Sequence, residues 1–202
     1  MTELSVDLLD PPAYSPAYDH ELAAALGRAG ARVRLLTSAF AFADVPSPSG
    51  YAREERFYRH AVGGAGSRLR ALSKRAQHVP NLLSYKDPAA VVHWQWTRGL
   101  DLALGPERPT VVTVHDPHGA AGLGRADAII VHTEHAREQL AGFDNVHVVP
   151  HGALALTPAR PRFHSRPMVL CFGLIRPYKG IDTLLAAWRQ VHGADLWIVG
   201  RQ

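Results

Sequence analysis

The sequence predicts an α/β protein: a Rossmann-like, doubly wound parallel sheet followed by an incomplete second Rossmann-like domain. Along the 202 residues, short and nearly continuous apolar runs alternate with amphipathic stretches, as expected when helices cover both faces of a parallel sheet. Residues 153–167 contain three prolines, show no periodicity and precede a new strand and helix. We therefore expect an N-terminal domain over residues 1–157, and a linker with the start of a second domain over 158–202.

The predicted strands of the first domain are short runs rich in Val, Leu and Ile. They cover residues 5–9, 33–37, 91–94, 110–115, 128–132 and 146–149. Because parallel strands end at the same edge of a sheet, we expect ligands at the carboxyl ends of these strands.

Three helices are predicted between these strands. The first covers residues 19–29 with Asp19 as its N-cap, and the third covers 134–141 behind the N-cap Thr133. The second begins after Ser67 and ends at Val79, because Pro80 cannot donate a helical hydrogen bond.

Composition excludes several classes of protein. The net charge of +4 is mild and no dense Lys/Arg block is present, so we expect no nucleic-acid partner. No apolar run approaches the length of a membrane span, and the first residues lack the positive region of a signal peptide, which favours a cytoplasmic protein. The single cysteine, Cys171, lies in an apolar run and is expected to be a buried structural thiol.

The second domain opens with a pattern typical of an anion site. An apolar strand over residues 168–172 leads into Gly173, and Arg176 and Lys179 precede a helix that starts at Ile181. Unpaired N–H groups at a helix start point at a ligand, a glycine allows close approach, and the two cations add positive charge. A phosphate or diphosphate is the expected ligand.

Six segments together resemble one enzyme family. FGLIRPYKG at 172–180, DTLLAAW at 182–188 and LWIVG at 196–200 resemble the opening of the nucleotide-sugar-binding domain of GT-B fold glycosyltransferases. The similarity is greatest to the retaining family often labelled group 1. VTVHD at 112–116, ADAIIVHT at 126–133 and VPHG at 149–152 resemble the acceptor domain of the same family, in the same order.

The resemblance implies transfer of a sugar from a nucleotide-diphosphate donor, with retention, to an acceptor that is a small molecule, a glycan or a lipid-linked group. It implies that Gly173, Arg176 and Lys179 bind the donor diphosphate, and that His115 faces the donor sugar as the catalytic residue. Further candidate contacts with the sugar or acceptor are Tyr14, Tyr18, Asp116 and His151. Front-side attack, in which the diphosphate helps to take the acceptor's proton, requires no metal, and no cofactor is expected.

The sequence also departs from the family. The loop over residues 10–18 is proline-rich and aromatic where the family has glycines, the loop over 116–127 is short, and the family's two glutamates eight positions apart are missing. We therefore expect a fragment that does not catalyse transfer alone and binds nucleotide sugars in the millimolar range or more weakly. Two alternatives remain: a non-catalytic Rossmann-like binding module, and a nicotinamide-dependent oxidoreductase, which the lack of G-x-G-x-x-G after any predicted strand disfavours.

Two further patterns have competing interpretations. On the helix over residues 67–79, the apolar stripe formed by Leu69, Leu72, Ala76 and Val79 is surrounded by four basic residues, which indicates either peripheral contact with the inner membrane face or a plain surface helix. The H-x-x-H pairs at 115/118 and 132/135 lack the spacing of a helical zinc motif, so no metal site is expected. Trp94 and Trp96 are predicted to pack in the protein interior.

Overall fold

The computed structural model describes residues 4–86, 88–119, 122–154 and 165–200, and the chain forms two compact units. The first covers Met1–Ala155 and the second Leu156–Gln202.

The first unit contains a seven-stranded sheet in which every neighbouring pair is parallel. Its strands are β1 (Ser5–Asp10), β2 (Arg32–Ser38), β3 (Ala52–Phe57), β4 (Val91–Trp94), β5 (Thr110–Thr113), β6 (Ala128–Val131) and β7 (Val146–Val148). The spatial order is β3-β2-β1-β4-β5-β6-β7, so the order reverses between β1 and β4. The predicted fold class is confirmed, and the carboxyl ends of β1 and β4 flank the topological switch point.

The strand β3 was not predicted from the sequence. β3 has the sequence A-R-E-E-R-F and lies at the edge of the sheet, where it pairs only with β2 among the described strands. Charged side chains suit an edge strand because they keep its unpaired side in water. Such a strand lacks the apolar run on which the prediction relied.

The helices of the first unit are α1 (Pro16–Arg28), α2 (Arg68–Leu83), α3 (Asp101–Leu104) and α4 (Glu134–Gln139). The predicted Asp19 N-cap is wrong, because α1 begins three residues earlier, with Ser15 at the N-cap and Pro16 in the first turn. Proline is well tolerated there, since the first N–H groups of a helix have no intrahelical partner. Asp19 instead lies inside the helix and is buried.

Helix α2 continues past Pro80, so its predicted end at Val79 is also wrong. Two tertiary contacts hold the last turn: Asn81 Oδ1 accepts the N–H of Tyr58 at 2.8 Å, and Leu82 is buried. These contacts offset the hydrogen bond that Pro80 cannot donate. The predicted cap at the other end is confirmed, because Ser67 Oγ accepts the N–H of Arg70 at 3.2 Å.

Helix α2 packs against the first unit largely through polar side chains. Ser73 Oγ accepts the N–H of Val62, and Gln77 Oε1 accepts the N–H of His60. The apolar stripe faces outward, and Leu72 is 64% exposed. The usual amphipathic arrangement is therefore reversed on this helix.

The core lies on both faces of the sheet because successive residues of each strand alternate sides. In β1, Leu8 packs with Ala23 of α1 on one face, while Leu9 packs with Trp94 and Ile129 on the other. Trp94 is buried, as predicted. None of the helices within the described ranges is long and apolar enough to cross a membrane.

The second unit consists of two parallel strands and one helix: β8 (Met168–Phe172), α5 (Ile181–Trp188) and β9 (Asp195–Val199). β8 and the start of α5 match the strand and helix predicted from the sequence. Apolar side chains of this unit remain exposed, among them Phe172, Leu185 and Trp197, and Phe172 reaches 74% exposure. Leu184 of α5 is half-buried.

We predict that Gly27→Ala destabilises the first unit. A Cβ at this position of α1 lies 2.4 Å from the carbonyl oxygen of Gly50. Alanine is intrinsically better than glycine inside a helix by about 1 kcal/mol, so propensity alone would stabilise the variant. We expect instead that the free energy of unfolding, measured with urea, falls by about 1–3 kcal/mol because of the clash. Gly64→Ala is the control, because its Cβ meets no atom within 4 Å. Equal stability of the two variants would contradict the close approach.

Candidate functional site

Aromatic and polar side chains collect at the carboxyl edge of the seven-stranded sheet. His115 follows β5 and has its ring stacked on Trp96 with centroids 4.8 Å apart and an interplanar angle of 20°. The ring of Tyr18, from α1, meets His115 edge-on at 5.1 Å. His115 Nε2 donates to Gln95 Oε1 at 3.4 Å. Three contacts thus fix the orientation of this imidazole.

The environment of His115 keeps its imidazole neutral. Burial lowers its pKa, and the neighbouring His132 and His151 lower it further, to about 4. With the proton on Nε2 donated to Gln95, Nδ1 is the hydrogen-bond acceptor of the ring. At neutral pH this residue therefore offers hydrogen bonds rather than a positive charge.

Two polar atoms beside His115 have no hydrogen-bond partner among the described residues. They are Gln95 Nε2, a donor, and His132 Nε2. Because His132 Nδ1 donates to the carbonyl oxygen of Val149 at 2.8 Å, its Nε2 is an acceptor. A sugar hydroxyl both donates and accepts, so this pair of unmatched atoms suits a carbohydrate ligand.

A small cavity of about 90 Å³ adjoins His115 and is lined by residues 95–97 and 112–116. Asp116, a predicted contact, lies at this cavity. Its carboxylate is exposed and accepts the N–H of His118 at 3.0 Å, so the side chain is engaged by its own loop.

The structure brings most of the predicted first-unit contacts together. Tyr18 contacts the rings of His115, His132 and His151, and the Tyr18 and His151 centroids are 4.9 Å apart. Tyr14 is exposed and meets Trp96 edge-on at 5.3 Å. Tyr14, Tyr18, His115 and His151 therefore belong to one aromatic cluster.

Sequence reasoning missed three members of this site. Gln95 and Trp96 directly follow β4, and His132 directly follows β6. The signal was present, since every residue after a parallel strand lies at the ligand-binding edge. Trp96 was expected to pack in the interior, but it is half-buried, stacks on His115 and donates its Nε1–H to Ser15 Oγ at 2.9 Å.

The loop after β1 is held by a buried pair of carboxyl groups. Asp10 ends β1 and Asp19 lies in α1, and both are essentially inaccessible to solvent. Burial raises the pKa of Asp19 well above its usual value, and the adjacent Asp10 raises it further, so Asp19 is the protonated partner and donates to Asp10. Asp10 also accepts the N–H of Ser15 at 3.2 Å. This pair anchors the proline-rich, aromatic loop over residues 10–18, the loop that contains glycines in the resembled family.

In the second unit, two of the residues predicted to bind a diphosphate lie close together at the start of α5. Gly173 has φ +123°, a conformation that favours glycine, and a Cβ there lies 3.7 Å from Lys179 Nζ. Gly180 precedes α5, which starts without a side-chain cap. Arg176 and Lys179 are exposed, and neither has a carboxylate partner within the described ranges. Gly173, Lys179 and an uncapped helix start therefore lie together.

Residues 4–86, 88–119, 122–154 and 165–200 contain no group of three or more His, Cys, Asp or Glu side chains able to hold a metal ion. The H-x-x-H pairs do not form such a group. His118 Nδ1 lies 3.5 Å from Asp116, and the imidazole of His135 contacts Gln139 and Glu138 on α4.

Comparison of the sequence with protein-family models and with curated proteins gives no match. Solved structures do match. Sucrose-phosphate synthase from Thermosynechococcus elongatus superposes with a TM-score of 0.66 and 19% identity over 98% of this chain and 62% of that chain. CalG4, the calicheamicin glycosyltransferase, superposes with a TM-score of 0.54 and 13% identity over 98% of this chain and 71% of that chain.

The chain has the fold of these two enzymes. The Rossmann-like, GT-B type fold class expected from the sequence is thereby confirmed. The chain spans 62% of the length of the synthase.

We predict that Asp19→Asn stabilises the protein at neutral pH. The asparagine keeps a donor toward Asp10 and removes a carboxyl group whose pKa is higher in the folded than in the unfolded state. A raised carboxyl pKa means that stability falls as pH rises from the ordinary value of 3.8 toward the folded value. The variant should therefore unfold several degrees higher at pH 7, at about 2–4 °C per kcal/mol.

The stability gained by Asp19→Asn should vanish below pH 3.8, where Asp19 of the unchanged protein is protonated in both the folded and the unfolded state. Asp44→Asn is the control, because it removes an exposed carboxylate from the same unit. A stability difference for Asp19→Asn that is independent of pH, measured by thermal unfolding across the range, would contradict the protonated pair.

Proposed function

We propose that this chain functions in glycosyl transfer, moving a sugar from a nucleotide-diphosphate donor to an acceptor with retention of configuration. The observation that carries the proposal is the corner formed by Gly173, Lys179 and the start of α5, with Arg176 in the loop between Gly173 and Lys179. It combines open backbone, two available cations and a helix N-terminus, which suits a diphosphate. The names of the two structural neighbours, a sucrose-phosphate synthase and a glycosyltransferase, support the same reaction class.

In the proposed reaction the bond between the anomeric carbon and the donor phosphate breaks, and the acceptor oxygen bonds to that carbon from the same face. The acceptor proton passes to a diphosphate oxygen. Arg176 and Lys179 stabilise the negative charge that develops on the leaving group. His115, neutral at pH 7, accepts a hydrogen bond from a hydroxyl of the donor sugar through Nδ1. The anomeric configuration of the product, read by NMR, tests retention.

The oxidoreductase alternative gains no support from the structure. The loop after β1 contains Pro11 and Pro12 and is packed around the Asp10–Asp19 pair, so it offers no glycine turn to a dinucleotide. A non-catalytic binding module remains the competing outcome of the transfer assay.

We predict that Arg176→Ala and Lys179→Ala each weaken binding of a nucleoside diphosphate to the purified chain. Affinity should be millimolar, because a few solvated charge contacts supply about 4 kcal/mol. Losing one charge-assisted hydrogen bond should raise the Kd about tenfold, measured by calorimetric titration with uridine diphosphate. In an enzyme that carries out transfer, either change should lower turnover about 100-fold.

Arg189→Ala is the matched control, because Arg189 lies at the opposite end of α5. His115→Ala, in the first unit, should leave diphosphate binding unchanged and lower transfer. If both corner variants bind like the unchanged chain, the proposed diphosphate site is wrong. Micromolar affinity for a complete nucleotide sugar would contradict our expectation of millimolar binding, and turnover by this chain would contradict our expectation that it is inactive alone.

We further propose that α2 contacts anionic membranes peripherally. Its outward face presents Leu69, Leu72 and Leu83, each more than half exposed, with Arg68 and Arg75 beside them. An apolar stripe flanked by cations is the pattern of helices that lie in the membrane interface.

We predict that the chain sediments with vesicles containing phosphatidylglycerol, and that added salt weakens the binding. The double variant Leu69→Gln/Leu72→Gln should lose most of it. Leu100→Gln is the control, because Leu100 has the same 64% exposure as Leu72 but lies off the helix. Equal sedimentation with neutral and anionic vesicles would leave α2 as a plain surface helix.

A further inference from the structure

A second cavity lies at the carboxyl edge of the first unit, beyond the ends of β2 and β3. Its volume is about 220 Å³. The polar side chains in its wall are Ser38, Glu55, Tyr58, Arg59, Arg70 and Lys74. Three cations and one carboxylate make this wall positively charged. None of these residues has a role in the diphosphate corner or in the His115 cluster.

Lys74 contributes a half-buried positive charge to this wall. Its ammonium group lies 5.1 Å from the centroid of the Tyr58 ring and has no carboxylate partner in the part of the chain that the structure describes. Arg59, in contrast, lies 3.7 Å from Glu54. Burial lowers the pKa of Lys74, and the positive charges of Arg70 and Arg98 lower it further. A bound anion stabilises the charged ammonium group and therefore opposes both causes of the lowered pKa.

Two neighbours of Lys74 complete a binding surface. Arg70 lies one helical turn earlier on the same face of α2, and its Nη1 donates to the carbonyl oxygens of Ala61 and Gly63 at 3.2 and 3.3 Å. These bonds hold the guanidinium in place. Ser38 is only 3% exposed, and its Oγ has no hydrogen-bond partner among the described residues. A buried hydroxyl without a partner is rare in folded proteins and marks a place where a ligand or water binds.

We propose that this cavity binds a phosphate group of the acceptor, with Lys74, Arg70 and Ser38 as its ligands. The inference rests on the proposed function, since it names the class of acceptor. A phosphate monoester carries up to two negative charges and several acceptor oxygens, which match an excess of cations and a hydroxyl donor. The cavity and His115 lie on the same edge of one parallel sheet, so a molecule anchored by its phosphate extends along the edge on which His115 lies.

The test is calorimetric titration of the 202-residue chain that carries Arg176→Ala and Lys179→Ala, so that the diphosphate corner does not contribute. Inorganic phosphate and glycerol 3-phosphate are the ligands, and glycerol is the uncharged comparison. Adding Lys74→Ala should weaken phosphate binding about tenfold or more, and adding Ser38→Ala about threefold. Lys74→Arg should restore most of the affinity. Unfolding temperatures of all variants show whether each remains folded.

Arg75→Ala is the matched control, because it removes the neighbouring charge of α2 without touching the cavity wall. It should change the affinity less than about twofold, as expected for long-range charge alone. Phosphate affinity that survives Lys74→Ala, or that falls equally in Arg75→Ala, would overturn the proposal.

Vesicles distinguish the two sources of such a phosphate. Sedimentation with phosphatidylcholine vesicles containing phosphatidic acid, lost in Lys74→Ala but kept in Arg28→Ala, assigns the site to a lipid headgroup, because Arg28 is an exposed cation of α1 away from both surfaces of α2. Binding of glycerol 3-phosphate without Lys74-dependent sedimentation assigns it to a soluble phosphorylated acceptor. Both results support a phosphate site. Lys74-dependent phosphate binding by a chain whose affinity for uridine diphosphate is unchanged by Arg176→Ala and Lys179→Ala would refute only the proposed function. Weaker uridine diphosphate binding in those two variants, with no effect of Lys74 on phosphate binding, would refute only this inference.

Discussion

The first unit depends on one buried carboxylate, that of Asp7 in the central strand β1. Arg34 of β2 donates to both of its oxygens at 2.7 Å, and the Tyr85 hydroxyl and the Ala89 N–H donate to it as well. Burial acts to raise the pKa of Asp7, but these hydrogen bonds and the charge of Arg34 outweigh it and lower the pKa. The carboxylate therefore stays ionised and ties the segment after α2 to the sheet, which fixes where α2 lies. A buried charge so fully paired is costly to break.

The two edges of the sheet differ in how completely their buried polar groups are hydrogen-bonded. At the amino edge, the oxygens of Asp7 are matched by several donors. At the carboxyl edge, Asp10 Oδ1, Ser38 Oγ, Gln95 Nε2 and His132 Nε2 lack hydrogen-bond partners within the described ranges. Such atoms lower stability unless a ligand or water binds them. The polar groups of Asp7 at the amino edge are thus satisfied within the protein, whereas several at the carboxyl edge are available to a ligand, as in other doubly wound sheets.

The sequence predicted elements that rest on local pattern and missed those that rest on distant contacts. Strands buried on both faces are continuous apolar runs, so β1, β2, β4, β5 and β6 were predictable. The strand β8, the turn at Gly173 and the helix α5, which frame the proposed anion corner, were predictable because their residues are contiguous. The start of α1 was not, since the burial of Asp19 depends on Asp10 across the loop. The extension of α2 past Pro80 depends on Tyr58, which is 22 residues earlier in the sequence.

The reversed polarity of α2 has a consequence for how this protein can change over time. Its packing relies on side chains such as Ser73, Gln77 and Asn81, which bond to backbone N–H groups. No described core contact involves Leu69 or Leu72. Substitutions at these outward positions therefore cost little stability, because exposed side chains contribute little to it. The outward face of α2 can therefore accumulate substitutions that change its affinity for membranes. The polar contacts on the other face meanwhile keep the helix and the neighbouring cavity in place.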